Sequence, residues 1–251
     1  VGDTATLTIV FSEAVAAFAN ADVTIQNGAI TTLASSDSIT WTATLTPTAD
    51  TEDAVNVFSI ATSYTDTAGN AGAAGTSANY IVETQAPSVS SITMADTTLL
   101  EGETSLLTIV FSEAVAAFAN EDVTAPSGAI TTLASSDSIT WTATLTPTAD
   151  TEDTSNVVSV ATSYTDTAGN AGGAGTSANY EVETQAPSVS SITFADTTLT
   201  TGQTSLVTIV FSEAVSAFAN GDLTIVSGTM TNVADSGDAI TWTSTYTPTA
   251  D

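Results

Sequence analysis

The sequence predicts an all-β chain of tandem Greek-key β-sandwiches of immunoglobulin type, about seven strands per repeat, arranged end to end. Three observations carry this. First, one block recurs with a register of 100 residues: FSEAV starts at Phe11, Phe111 and Phe211, TDTAGNAG at Thr65 and Thr165, ETQAPSVSSIT at Glu83 and Glu183. A solenoid unit spans only about 20–50 residues, so this period describes a complete small domain with its own core. Second, apolar and polar residues alternate with the period of a strand buried on one face. Third, Gly, Pro, Asp and Asn clusters separate the alternating stretches, as turns require.

The elements follow in order. Residues 4–12 place Leu7, Ile9 and Phe11 on one face and Thr6 and Thr8 on the other. Residues 39–46 alternate Ile39, Trp41, Ala43 and Leu45 with four threonines, and the β-branched Thr suits an exposed strand face. In the middle repeat the pattern predicts strands over 88–94, 104–112, roughly 122–126, 129–134, 139–146, 156–164 and 177–183. The Ala-rich 111–120 is expected to be a loop with a single helical turn on Val115 and Phe118. The third repeat has Trp242 where the register expects position 241. Asp235-Ser236-Gly237-Asp238 replaces Ser135-Ser136-Asp137, which marks a loop between two strands. The expected domains are 1–86, a repeat without its first strand; 87–186, a complete repeat; and 187–251, a repeat without its last strands, in a molecule expected to continue in both directions.

The charge is one-sided: 28 acidic residues, no Lys, Arg or His, and a formal net charge of −28. Phosphate neutralisation needs Lys or Arg, so nucleic acid is not an expected partner, nor is an anionic membrane surface. No apolar run reaches the roughly 18 residues that span a bilayer. There is no Cys, hence no disulfide and no thiolate metal site. Without His, Cys or Lys the usual general bases and nucleophiles are missing, and no enzymatic function is expected. Tyr64, Tyr164 and the three Trp fit the core parity of their strands.

The segments APSVSSIT, ADTTLLEGETSLLTIVFSEAV, ITWTATLTPTAD and TDTAGNAG followed by ANYEVETQAP resemble the bacterial immunoglobulin-like repeats of giant secreted adhesins, including RTX-type and biofilm-associated adhesins. That resemblance covers essentially the whole chain. It implies extender segments that hold a terminal binding domain away from the cell, with Ca²⁺ at domain junctions in several relatives. Glu83 and Glu183 stand where many relatives carry Asp, so the carboxylate is retained.

Strand polarity locates the candidate chemistry. With seven strands alternating up and down, the loops after the second and sixth strands lie at the end where the domain begins. In the middle repeat these loops carry Glu113, Glu121, Asp122, Asp166 and Asn170, and the incoming linker brings Glu83. The same register selects Glu13, Asp22, Asp66 and Asn70 in the first repeat and Glu183, Glu213 and Asp222 in the third. Ca²⁺ takes six to eight hard oxygen ligands, and these residues supply carboxylates and an amide with no basic neighbour. The alternative is plain turn chemistry, because TDTAGN makes a competent Asx turn without metal. A second acidic set, 148–154, maps to the opposite end and reads first as a solvated turn, with a position facing the next junction as the alternative. Pro87 and Pro187 stiffen a linker with little slack.

The expected function is an extracellular spacer on a bacterial surface, with neighbouring repeats of the same chain as partners. The alternatives are a laterally assembled fibre or layer of copies, and a direct glycan- or cell-binding module. Trypsin needs Lys or Arg, so it should leave even the urea-unfolded chain uncut, which gel electrophoresis of the digested chain checks directly.

Overall fold

The computed structural model describes residues 2–249. The chain forms two compact units: Val1–Thr148 with Asp153–Glu183, and Ala149–Glu152 with Thr184–Asp251. The first unit contains all but short stretches of the middle repeat, whose strands are β1 Val89–Met94, β2 Thr98–Leu100, β3 Ser105–Phe111, β4 Val115–Ala116, β5 Val123–Thr124, β6 Gly128–Ile130, β7 Thr140–Pro147, β8 Glu152–Asn156, β9 Ser159–Val160, β10 Thr165–Asp166, β11 Gly175–Thr176 and β12 Tyr180–Glu183.

One sheet has the order β1-β3-β7-β6, antiparallel throughout. The opposite side is built from β5-β9-β11, from β2-β12-β8 with β2 parallel to β12, and from the β4-β10 pair. Where breaks within one run are bridged, this is the pairing of a constant-type immunoglobulin sandwich, with the first strand split between both sheets. The register sets Ile109 opposite Trp141 and Leu107 opposite Ala143. Leu107, Ile109 and Leu145 are buried from one sheet and Val160, Tyr180 and Val182 from the other, in one core. Each such aliphatic contributes on the order of 1.5–3 kcal/mol by leaving water.

The strands are shorter and more broken than the alternation predicts. The stretch expected over 129–134 ends at Ile130, with a lone bridge from Ala134 to Thr142. The stretch expected over 156–164 is instead β8 and β9. The helical turn also moves: Val115 pairs with Asp166 in β4-β10, and a short 3₁₀ turn forms at Asn120–Asp122. Ala117 sits at φ 57°, which no helix continues through. Phe118 therefore turns inward, edge-on to Phe111 at 4.9 Å and to Trp141 at 5.2 Å.

Tyr164 joins the same aromatic group, 4.8 Å from Phe111. Its hydroxyl donates to the Gly173 carbonyl at 2.6 Å, and Gly172 N–H donates to the Tyr164 carbonyl at 2.9 Å. Thus the core holds the loop between β10 and β11 at the end where the repeat begins. Corresponding aromatic contacts recur in the first repeat, Phe11–Phe18 at 4.9 Å and Phe18–Trp41 at 5.3 Å.

The second unit carries Val189–Phe194, Ser205–Phe211, Thr241–Pro248 and Gly228–Met230 in the sheet order of β1-β3-β7-β6. Its inserted loop lies just before the long strand, with Asp238 Oδ1 accepting from Ile240 N and Thr241 N.

A methyl group on Gly172 would lie 2.1 Å from Tyr164 Cε2, inside a ring that is fully buried. Gly172→Ala should therefore destabilise the first unit by about 1–3 kcal/mol. Gly173→Ala, whose Cβ meets nothing nearer than the Pro87 carbonyl at 3.9 Å, should change little. Urea midpoints of the two variants decide the comparison.

Candidate metal centre at the first repeat junction

The end of the middle repeat that receives the chain is built by the turn after β3, the turn after β10 and the linker. Asp166 closes β10, and the TDTAGN turn wraps around its carboxylate. Oδ1 accepts from Ala168 N and Asn170 N at 2.8 Å each, and Oδ2 accepts from Asn170 Nδ2 at 2.6 Å. Gly169 takes φ 91°, a conformation that favours glycine. Asp166 is 3 % and Asn170 1 % exposed. In the first repeat the identical turn makes the same bonds, yet Asp66 is half-buried and Asn70 exposed. In the middle repeat this turn meets the end of the preceding repeat, the Glu83 carbonyl beside Asn170.

Glu83 ends the last strand of the first repeat, Tyr80–Glu83, directly opposite Glu52. Its carbonyl accepts from Asn170 Nδ2 at 3.4 Å, and its Oε1 accepts from Gln85 N at 3.2 Å. The linker is then tied down twice more. Gly173 N–H donates to the Pro87 carbonyl at 3.0 Å, while Ser88 N donates to Ser112 Oγ and Ser112 N to the Ser88 carbonyl, both at 2.9 Å. Glu113 projects from the turn after β3, half-buried.

One carboxylate oxygen from each of Glu83, Glu113 and Asp166 lies within 4.8 Å of the others. Two repeats thus supply one acidic triad. Burial, then the charges of Asp166, Glu83 and Glu52 in that order, push the Glu113 carboxyl above its ordinary value of 4.5. Asp166 goes the other way. Burial raises it, but the Asn170 side chain and the turn's N–H groups outweigh that and hold it below 3.8. The triad therefore has one carboxylate already satisfied by hydrogen bonds and one, Glu113, strained by its neighbours. A hard divalent cation would relieve that crowding, and the Glu83 carbonyl lies beside the triad as a further oxygen.

Of the residues selected from the sequence, the structure brings together Glu83, Glu113 and Asp166, with Asn170 turning its amide nitrogen toward Asp166. Asp122 does not join them, which corrects the expectation for it and for Asp22. Its Oδ2 accepts from Ala119 N at 2.8 Å and its Oδ1 from the Ser163 hydroxyl. It is consumed in closing the 3₁₀ turn and tying it to the strand opposite. Asp22 makes the same bonds to Ala19 and Ser63, and Asp222 the first of them, to Ala219 at 2.9 Å. Glu121, beside Asp122, lines only a shallow surface hollow with Phe118 and Thr132. Glu13 is exposed in the turn after the first repeat's opening strand. Glu183 ends β12 in the first unit, and Glu213 lies half-buried in the turn after Ser205–Phe211 in the second. Glu52 was missed. It lies one repeat before the acidic set 148–154, at the place corresponding to Glu152, and its charge reaches Glu113 because strand pairing sets it opposite Glu83. Its signal in the sequence was the 100-residue counterpart Glu152.

The sequence profile of the bacterial Ig-like domain matches residues 1–82, 83–182 and 183–251. The chain belongs to the bacterial Ig-like domain family. No curated protein and no solved structure matches it. Successive Ig-like repeats thus meet where the profile match changes from one copy to the next, at Glu83. Among the described residues, no helix is long and apolar enough to cross a membrane.

The two shifts act in separate pH windows. A raised Glu113 favours the folded junction fully below the ordinary 4.5, and that contribution is lost as pH rises through its folded value. A depressed Asp166 contributes above 3.8 and is lost as pH falls below it. In chelator-treated buffer, Glu113→Gln should raise the melting temperature of the first unit at pH 7. It should also shrink the part of the parent's stability that rises as pH falls toward 4.5. A variant less stable than the parent at pH 7 contradicts the assignment of charge crowding.

Proposed function

We propose that these Ig-like repeats are structural extenders of a large extracellular adhesin or surface fibre, and that Ca²⁺ stiffens their joints. The observation that carries the reading is that Glu83 of one repeat meets Glu113 and Asp166 of the next, on a linker held by hydrogen bonds at Pro87 and Ser88. At the first boundary, near residue 86, a strand end, a short Pro-containing linker and two loops leave little backbone free to bend. Glu83, Glu113 and Asp166 would hold the ion, with the Glu83 carbonyl and water completing six to eight oxygens. Binding only to the folded joint would stabilise it by mass action.

The role proposed is mechanical rather than catalytic. Recurring copies, charges that are all acidic and the lack of tryptic sites suit a long element exposed outside the cell. The expected partners are the neighbouring repeats, and the expected place is the bacterial surface.

Calcium titration into the metal-free chain should raise the melting temperature of the first unit and lower its small-angle-scattering heterogeneity, and EDTA should reverse both. Glu113→Ala should reduce the response at least tenfold in calcium concentration. Indifference of the parent to both calcium and EDTA would remove the metal from the joint and leave the hydrogen-bonded linker as its only stiffener.

A further inference from the structure

A second site lies inside the first unit, away from the acidic triad, and a comparison of two repeats exposes it. In the first repeat, Asn27 Nδ2 donates to Asp53 Oδ2 and to Asn56 Oδ1, both at 2.7 Å. The middle repeat keeps Asp153 and Asn156 but has Ser127 in place of Asn27. A hydroxyl has one proton, and Ser127 Oγ gives it to Asp153 Oδ2 at 3.0 Å. Asn156 is 1 % exposed, and its Oδ1 accepts no hydrogen bond among the described residues. An unpaired buried acceptor is costly.

Everything around that oxygen is otherwise preserved. Asn27 and Ser127 share the left-handed backbone, φ 48° and 53°. The Asn56 amide nitrogen donates to Asp53 O at 2.7 Å and Tyr80 O at 3.2 Å. Asn156 donates to Asp153 O at 3.0 Å and Tyr180 O at 3.3 Å. These bonds fix the amide, so Asn156 Oδ1 points to the place that the Asn27 nitrogen takes in the first repeat. The Tyr180 hydroxyl donates to the Pro126 carbonyl and is not directed to Asn156. Burial, and then the Asp153 charge, push that hydroxyl up to about 12, so it stays protonated and keeps its one proton on the Pro126 carbonyl.

A guest at this place must be about the size of an amide nitrogen and must suit acceptors only. The chain has no Lys, Arg or His to balance Asp153, which favours a cation over a neutral donor. One carboxylate, one amide oxygen and one hydroxyl match a single charge better than Ca²⁺, which takes six to eight oxygens. We propose that the middle repeat binds a monovalent cation (sodium, potassium or ammonium) between Asp153 Oδ2 and Asn156 Oδ1, with the Ser127 oxygen as third ligand. Asn27 is the built-in equivalent of that ion in the first repeat.

The test is amide hydrogen exchange on the whole chain in sodium, potassium or ammonium chloride against tetramethylammonium chloride at equal ionic strength. EDTA is present as its tetramethylammonium salt, so divalent metals do not contribute. At ten times its Kd, a fitting ion should slow exchange around Asn156 about tenfold relative to tetramethylammonium. Ser127→Asn, which installs the residue the first repeat already folds with, should abolish that difference. Asn27→Ser should create it around Asn56. Equal slowing in the parent and Ser127→Asn, or no difference between the small ions and tetramethylammonium, overturns the proposal and leaves a water molecule as the partner of Asn156. Failure here leaves the calcium joint untouched, because that site shares none of these residues.

Discussion

No side chain in this protein can offer a carboxylate a positive charge, and much of its architecture answers that constraint. With 28 acidic residues and no basic ones, several aspartates are stabilised by N–H and O–H donors instead. Asp137 Oδ1 collects Ile139 N, Thr140 N and the Ser135 hydroxyl, and these bonds hold it below its ordinary value although it is exposed. Asp166 collects three donors from its own turn. Asp122 bridges Ala119 and Ser163. Each of these bonds also fixes a loop, so charge stabilisation and loop geometry are one device repeated around the domain.

Glu113 is placed differently from these aspartates. No donor within the triad answers it, and its proton affinity is raised by burial and by three acidic neighbours from two repeats. At the junction acidic groups therefore crowd Glu113 without a local donor to answer it, a local inconsistency of the kind expected at functional sites. The mechanical consequence follows from position. The triad is held by the β10–β11 loop, the loop by Tyr164 and Gly172, and Tyr164 by the aromatic group in the core. A cation at the joint would therefore act on two cores through short, stiff connections.

Much of the sandwich was legible before any coordinates. Alternation along Thr140–Pro147 and Ser105–Phe111 located both long strands, because a period of two is readable wherever one face is buried. The shorter strands were read with the right order and the wrong ends: β8, β9 and β10 are one run broken by irregular backbone, and nothing in residues 152–166 alternates cleanly enough to show the breaks. Asp122 was misplaced because spacing counts residues but does not show where a side chain's oxygens are spent. A 3₁₀ turn consumes that carboxylate locally. Glu52 was overlooked for the converse reason: its nearness to Glu113 depends on strand pairing with Glu83, across a long separation in sequence.

By itself the sequence determined the tandem register, the all-β sandwich, the one-sided charge and the end of the domain at which repeats meet. Those properties depend on composition and on period, which are local. Only the tertiary structure decided which carboxylates share a site and which acceptor lacks a donor. Both depend on a few tenths of an ångström of side-chain placement between segments far apart in the chain. Ser127 shows the difference in scale. As a letter it is a conservative turn residue, but opposite Asn156 it is one proton short.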